Sequence, residues 1–203
     1  MLLSSYTPNL IEAGCDEVGR GCLAGPVVAA SVILPKDYKH DLLNDSKQLS
    51  KQNREQLEVD IKRDALAWAI AEVSHEEIDL INILNASFRA MHLALDQLMV
   101  RPEFLLIDGN RFTSYRNIQS ACIIKGDGKY LSIAAASVLA KTYRDTLMAN
   151  LSSHFPGYGW ETNVGYPTRQ HREGIIKLGI TPYHRRTFQL LPSQLEIFEK
   201  ESQ

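Results

Sequence analysis

Residues 14–26 read Gly14-Cys15-Asp16-Glu17-Val18-Gly19-Arg20-Gly21-Cys22-Leu23-Ala24-Gly25-Pro26. Leu10, Ile11 and Ala13 lead in as an apolar run, which predicts a strand delivering Asp16 and Glu17 at its end. Asp is poorly suited to a strand interior, so an acid at this place needs a reason. The glycines that follow remove side chains where another backbone can approach closely. Carboxylates beside an open, arginine-bearing backbone suit a cation and a phosphate meeting in one place. Neighbours along a strand face opposite ways, however. Asp16 and Glu17 can share a site only if the strand ends or twists there, which Gly19 makes feasible.

Outward from this stretch, Gly25 to Leu34 (GPVVAASVIL) predicts a second strand pairing with the first across the glycine-rich turn, and Pro35 closes it. Ser50 suits the N-cap of a charged helix running to about Asp64. Leu66 to Val73 reads as a third strand in preference to a helical continuation. Ser74 with Glu76 and Glu77 marks another helix start. A longer amphipathic helix is predicted over Asn85 to Met99, with Phe88, Met91, Leu95, Leu98 and Met99 mainly at three- and four-residue spacing and Pro102 as its breaker. Phe104 to Ile107 is wholly apolar and predicts a central buried strand ending in Asp108-Gly109. Ala121 to Ile124 reads as another such strand, ending in Lys125-Gly126-Asp127-Gly128.

Leu131 to about Leu151 is helical, and its small-residue stretch Ile133-Ala134-Ala135-Ala136-Ser137 lets it lie close to a sheet or a ligand. A Gly/Pro/aromatic loop is expected over Phe155 to Pro167. Thr168 caps a helix to about Leu178, with Gly179 as its stop. Pro182 to Phe188 is a basic loop, and Ser193 begins a final short helix. The order of elements indicates an α/β fold with a mixed sheet. Residues 1–203 are expected to form one domain, with a short helical C-terminal element from about 168.

Composition narrows the function. The 203 residues are 44% hydrophobic and carry a net charge of −2, so the field of the whole molecule does not announce a nucleic-acid partner. Any such role needs a local basic surface. Arg169, Arg172, Lys177, Arg185 and Arg186 against a single acid, Glu173, with His171 and His184 nearby, could supply one. Three cysteines without paired spacing argue against a disulfide framework and against zinc, and predict small buried or half-buried thiols. With no leader pattern and no long unbroken apolar window, a cytoplasmic protein without membrane contact is expected.

Asp16-Glu17, Asp108 and Asp127 each close an apolar run. Asp108-Gly109 alone would be an ordinary turn former. Four acids ending three strands shift the balance to a metal site, and an oxygen-only ligand set suits Mg2+ or Mn2+. Two such ions roughly 3.5–4 Å apart can activate a water and stabilise the leaving oxygen of a phosphodiester.

The whole series strongly resembles the ribonuclease HII family. The carrying motifs are residues 14–21 with Ala24-Gly25-Pro26, Asn44-Asp45-Ser46-Lys47, Ile107-Asp108-Gly109 and Lys125-Gly126-Asp127-Gly128. Further on come Ile133 to Ser137 with Ala140-Lys141 and Arg144-Asp145, then Gly165-Tyr166-Pro167-Thr168 with His171, and Tyr183-His184-Arg185-Arg186. The resemblance implies a ribonuclease H-like fold, a mixed five-stranded sheet flanked by helices with C-terminal helices. It implies cleavage of RNA in RNA–DNA hybrids and at single ribonucleotides in duplex DNA. It makes Asp16, Glu17, Asp108 and Asp127 the catalytic, metal-holding carboxylates. Gly19, Arg20 and Gly21 become the segment that reads the 2′-hydroxyl, and Tyr166 the ring against the adjacent deoxyribose. Cys22 departs from the proline common at its place. Lys47, Ser137 and Lys141 keep two readings each, a substrate contact or an ordinary solvated or structural side chain. A monomer is expected, with a sliding clamp as a candidate partner.

Two other functions compete. Gly19-x-Gly21-x-x-x-Gly25 after a strand echoes a dinucleotide-binding fingerprint, which needs a helix next where the sequence gives Pro26 and a β-branched run. An inactive nucleic-acid-binding module is disfavoured by the presence of all four acids. The sister family ribonuclease HIII usually carries an extra N-terminal domain, for which a first motif at Gly14 leaves no room.

Overall fold

The computed structural model describes residues 2–43 and 50–192. Its elements are β1 (Glu12–Val18), β2 (Val27–Ile33), α1 (Lys51–Asp64), β3 (Ala67–Val73), α2 (His75–Ile81), α3 (Ile83–Asp96), β4 (Phe104–Asp108), β5 (Gln119–Ile123), α4 (Leu131–His154), α5 (Trp160–Asn163) and α6 (Arg169–Leu178). The sheet runs β3-β2-β1-β4-β5. β1, β2 and β3 pair antiparallel, while β1, β4 and β5 pair parallel. The expected mixed five-stranded sheet is therefore present, with β1 at its centre.

Strand alternation assigns each face its helices. Ala13, Cys15, Ala29, Leu105 and Ile107 pack on one side with Ile78, Ala90, Met91 and Leu95 of α2 and α3. Val28, Ala30 and Val32 pack on the other with Leu57 and Ile61 of α1 and the small residues Ala134 to Ala136 of α4. A Cβ on Gly14 would lie 2.3 Å from the Ser132 carbonyl carbon, so α4 rests directly on β1. That contact is the reason for the small-residue stretch.

Local signals placed most helix starts. Ser50 accepts from Asn53 N, Ser74 from Glu77 N and Thr168 from His171 N. Three expectations need correcting. β5 is an outer strand, mostly exposed, and not a second central one. Its Cys122 is exposed, while Cys15 and Cys22 are buried. A parallel strand paired on one side only leaves its other edge to solvent whatever its hydropathy. The 155–167 loop holds the short helix α5, anchored by the fully buried Trp160. The helix expected from Ser193 lies outside the described residues. Among the described residues no helix is long and apolar enough to cross a membrane.

Candidate active site

The parallel register sets Cys15 beside Ile107, so Asp16 and Asp108, the next residues, stand side by side at the same end of the sheet. β1 does not end before the paired acids; it continues through Val18. Asp16 therefore faces α4, where the Ser137 hydroxyl hydrogen-bonds it, and also accepts from Glu17 N at 2.7 Å. Glu17 faces α3. Its Oε1 accepts from Arg20 Nη1 at 3.1 Å, while its buried Oε2 has no hydrogen-bond partner among the described residues. The two neighbours stand on opposite faces of β1, and each carboxyl still interacts with Asp108 at the end of the sheet.

Asp108 Oδ1 accepts from Gly126 N at 2.7 Å, tying the end of β4 to the turn before α4. Asp127 is buried on that turn, a single 3-10 turn over Gly126–Gly128. It therefore stands beyond β5 and not at a strand end as its sequence context suggested. Its Oδ1 accepts from Gly128 N at 3.1 Å.

Burial, then repulsion from Glu17 and Asp108, holds the Asp16 carboxyl well above the usual carboxylate range. Burial also raises Glu17, partly offset by Arg20 and reinforced by Asp108. Beside Glu17 and Asp108 lies a cavity of about 300 Å³, lined also by Arg20, Phe88, Met91 and Arg111. As the side chains stand, no three His, Cys, Asp or Glu among the described residues form a group that would hold an ion. The donor set is nevertheless all oxygen and mutually repelling, and it has one orphaned carboxylate oxygen. Those features fit a hard divalent cation.

The glycine loop is held from beneath by two arginines that are fully buried. Arg144 donates to Pro26 O at 3.0 Å, Ala24 O at 3.0 Å and Val164 O at 2.7 Å. Arg185 donates to Gly25 O at 3.0 Å, Arg20 O at 3.0 Å and Gly19 O at 2.7 Å. Gly19 has φ +94°, and a Cβ there would sit 2.3 Å from Arg144 Nε. The half-exposed ring of Tyr166 comes to 3.7 Å from where a Gly21 Cβ would stand, so ring and loop share one face. β2 follows the loop directly, so the helix that the dinucleotide fingerprint requires next is not there and that reading falls away.

The remaining candidates separate. Ser137 belongs to the acid site through Asp16. Lys141 pairs with Asp145 at 2.8 Å, and Arg54 pairs with the same carboxylate at 3.3 Å. Lys47 lies outside the described residues. The expected basic face shrinks: Arg185 is buried, Arg172 donates to Leu190 O, and Arg169 pairs with Glu173 at 2.7 Å. His171 and His184 are also fully buried, and burial lowers both pKa values, His184 to about 4. They bring no positive charge at neutral pH. Arg144 and Arg185 stand within the sequence motifs, yet nothing in the sequence gives them a structural role. Backbone carbonyls as partners leave no acid in the sequence to signal a buried arginine.

The family model described as Ribonuclease HII matches residues 13–191. A ribonuclease HII of Bacteroides fragilis is 64% identical over 98% of this chain and 100% of its own length. The crystal structure of a ribonuclease H2 from Pyrococcus horikoshii OT3 is 25% identical, with a TM-score of 0.74 over 95% of this chain and 99% of that one. A ribonuclease HII of Archaeoglobus fulgidus, solved in complex with PCNA, is 27% identical, with a TM-score of 0.71 over 93% of this chain and 100% of that one.

Proposed function

The chain belongs to the ribonuclease HII family, and from that premise we propose that Asp16, Glu17, Asp108 and Asp127 are its catalytic, metal-holding carboxylates. The protein is an endoribonuclease that cleaves the RNA strand of RNA–DNA hybrids and cuts at single ribonucleotides in duplex DNA, leaving 5′-phosphate and 3′-hydroxyl ends. The family depends on divalent metal; Mg2+ or Mn2+ is our reading for this chain. Held by Asp16, Glu17, Asp108 and Asp127, divalent ions would supply activation of the attacking water and stabilisation of the leaving 3′-oxygen.

The protein's own side chains orient the rest. Ser137 fixes Asp16, and the Gly126 amide fixes Asp108. Gly19, Arg20 and Gly21 offer a backbone without bulk to the shallow minor groove, where the 2′-hydroxyl alone separates RNA from DNA. Tyr166, on the same face, would be crowded by a hydroxyl on the following sugar, which selects deoxyribose there. Arg20, paired with Glu17 and half-exposed, is the side chain that would meet a phosphate here. Lys141, already paired, is the weaker substrate contact, and Lys47 rests on the sequence motif alone. Residues 1–203 as one monomeric catalytic domain, with a C-terminal helical element from about 168, belong to the same proposal. So does a sliding-clamp contact, which rests on the archaeal relative's PCNA complex.

The orphaned, buried Glu17 Oε2 beside Asp16 and Asp108 is the observation that carries the site assignment. The test is incubation with a duplex holding one ribonucleotide, with and without Mg2+ or Mn2+, for the native protein and for Asp16→Asn, Glu17→Gln, Asp108→Asn and Asp127→Asn. Cleavage should need the ion and should fall in every variant while hybrid binding persists. Full turnover in any of them removes that residue from the site.

A further inference from the structure

His171, His184 and Trp160 are each fully buried beneath the face that carries Tyr166. Their rings lie together, with centroids 5.8 Å apart for Trp160 and His171 and 5.2 Å for the two histidines. The hydrogen bonds between them admit one arrangement of protons. Trp160 Nε1–H can only donate, and it points at His171 Nε2 at 2.9 Å. That nitrogen must therefore be bare, which places the His171 proton on Nδ1, 2.9 Å from Tyr166 O. On the far side Thr181 N–H donates to His184 Nδ1 at 2.9 Å. The His184 proton thus sits on Nε2, 3.2 Å from the bare His171 Nε2. Both partners force the tautomer that lets His171 donate to the Tyr166 carbonyl.

We propose that His171 is a positioning residue for Tyr166: the Trp160–His184 pair locks its tautomer, and its Nδ1–H fixes the carbonyl from which the substrate-facing ring is suspended. The inference rests on the reading of Tyr166 as the ring against the deoxyribose. Other bonds share the load. Tyr166 N donates to Asn163 O at 2.9 Å, and Thr168 N donates to Tyr166 O at 2.8 Å. The effect of losing the histidine is accordingly moderate and falls on substrate choice. A ring free to shift relative to Gly21 discriminates less well at a ribonucleotide–deoxyribonucleotide junction, while a uniform hybrid is cut much as before.

Two substitutions separate this role from simple packing. In His171→Asn the amide nitrogen takes the place of Nδ1 and keeps the donor to Tyr166. In His171→Gln the amide oxygen takes the place of Nε2, keeping the acceptor for Trp160 but losing that donor. Specificity constants are measured on duplex DNA with one ribonucleotide and on a uniform hybrid, alongside thermal midpoints, with Tyr166→Ala as the reference. Tyr166→Ala should lower the single-ribonucleotide to hybrid ratio most. His171→Gln should lower it roughly five- to tenfold, as fits the removal of one buried hydrogen bond, and His171→Asn should stay within about twofold of native. Equal ratios for Asn and Gln while Tyr166→Ala shifts the ratio overturn the positioning role alone. An unchanged ratio in Tyr166→Ala overturns the reading of the tyrosine itself. The native protein gives a check that needs no variant: nitrogen-15 shifts at neutral pH should show a protonated Nδ1 and a bare Nε2 on His171, and the reverse tautomer overturns the proposal.

Discussion

The end of the sheet and the floor of the glycine loop both bury charge, and they treat it in opposite ways. At the floor, Arg144 and Arg185 each donate to three backbone carbonyls, none farther than 3.0 Å. At the sheet end, Asp16, Glu17 and Asp108 repel one another, and one oxygen of Glu17 has no partner among the described residues. A buried charge costs free energy unless it is fully hydrogen-bonded or paired. The arginines meet that condition from within the chain, so their work is to hold the loop's shape. Glu17 Oε2 does not, and on the proposed reading a divalent ion completes it. On the proposed assignment, charge buried with complete partners is scaffold, and charge buried without them is the reaction centre.

The largest expected effect tests the second half of this contrast. Asp16→Asn or Asp108→Asn should reduce cleavage on the order of 10³-fold or more. The same change removes one of several like charges, so the thermal midpoint without metal should stay level or rise. Adding Mg2+ or Mn2+ should raise the midpoint of the native protein and do so far less in the variants. Loss of folding together with activity in both variants would erase the distinction between the two regions.

Removing an arginine tests the first half. Arg185→Met takes the donor from the carbonyls of Gly19, Arg20 and Gly25, the bonds to Gly19 and Gly25 being buried. Leaving a buried carbonyl without its donor costs about 1–3 kcal/mol, and several together make a large share of a domain's stability. Denaturant unfolding should show that loss, and activity should fall with it. Arg144→Met should behave alike, because it frees Ala24, Pro26 and Val164 carbonyls. A stable Arg185→Met protein with intact cleavage would mean the loop holds its own shape.

The two regions also differ in how far the sequence disclosed them. Asp16, Glu17 and Asp108 sit at the ends of apolar runs, and the parallel pairing of β1 with β4 delivers them to one end of the sheet. Ser50, Ser74 and Thr168 marked their helices through short-range capping, which is local by nature. Arg185 read as part of a basic surface because its partners are carbonyls distant by as many as 166 positions, and every residue has a carbonyl. His171 and His184 misled for the same reason, since only tertiary packing removes them from solvent. β5 looked central because hydropathy reports what a strand is made of and not which neighbour it lacks. The setting of Asp127 was not legible, because Gly-Asp-Gly suits a turn as well as a strand end.

The buried histidines sharpen the contrast with a titration. Their burial is tolerated because both are neutral. An unfolded histidine takes up a proton below about pH 6.5, whereas burial and the neighbouring His171 delay His184 until about 4. Between those values the unfolded chain binds the extra proton, so stability is full above pH 6.5 and falls as pH drops toward 4. His184 alone should account for a loss on the order of 3 kcal/mol. His171, lowered by the same burial, adds to it. Unfolding followed across this range in the native protein and in His184→Gln should show a shallower decline in the variant. Equal slopes would place the acid sensitivity elsewhere.

The smallest effect comes from a charge that is paired but not buried. Arg169 and Glu173 meet at 2.7 Å on α6, with side chains 92% and 59% exposed. Water screens such a pair, so Arg169→Ala should leave the unfolding midpoint essentially unchanged. If α6 faces the nucleic acid, the paired Arg169 should also contribute less to binding than the exposed Lys177 and Arg186. Removing a cation that binds a phosphate should flatten the dependence of log affinity on log salt by about one unit. Titrating a hybrid at several salt concentrations separates the cases. A lower slope in Lys177→Ala or Arg186→Ala with none in Arg169→Ala places the hybrid against the exposed cations of this face. A slope unchanged in all three moves the phosphates elsewhere, toward Arg20 and Arg111 at the rim of the acid site.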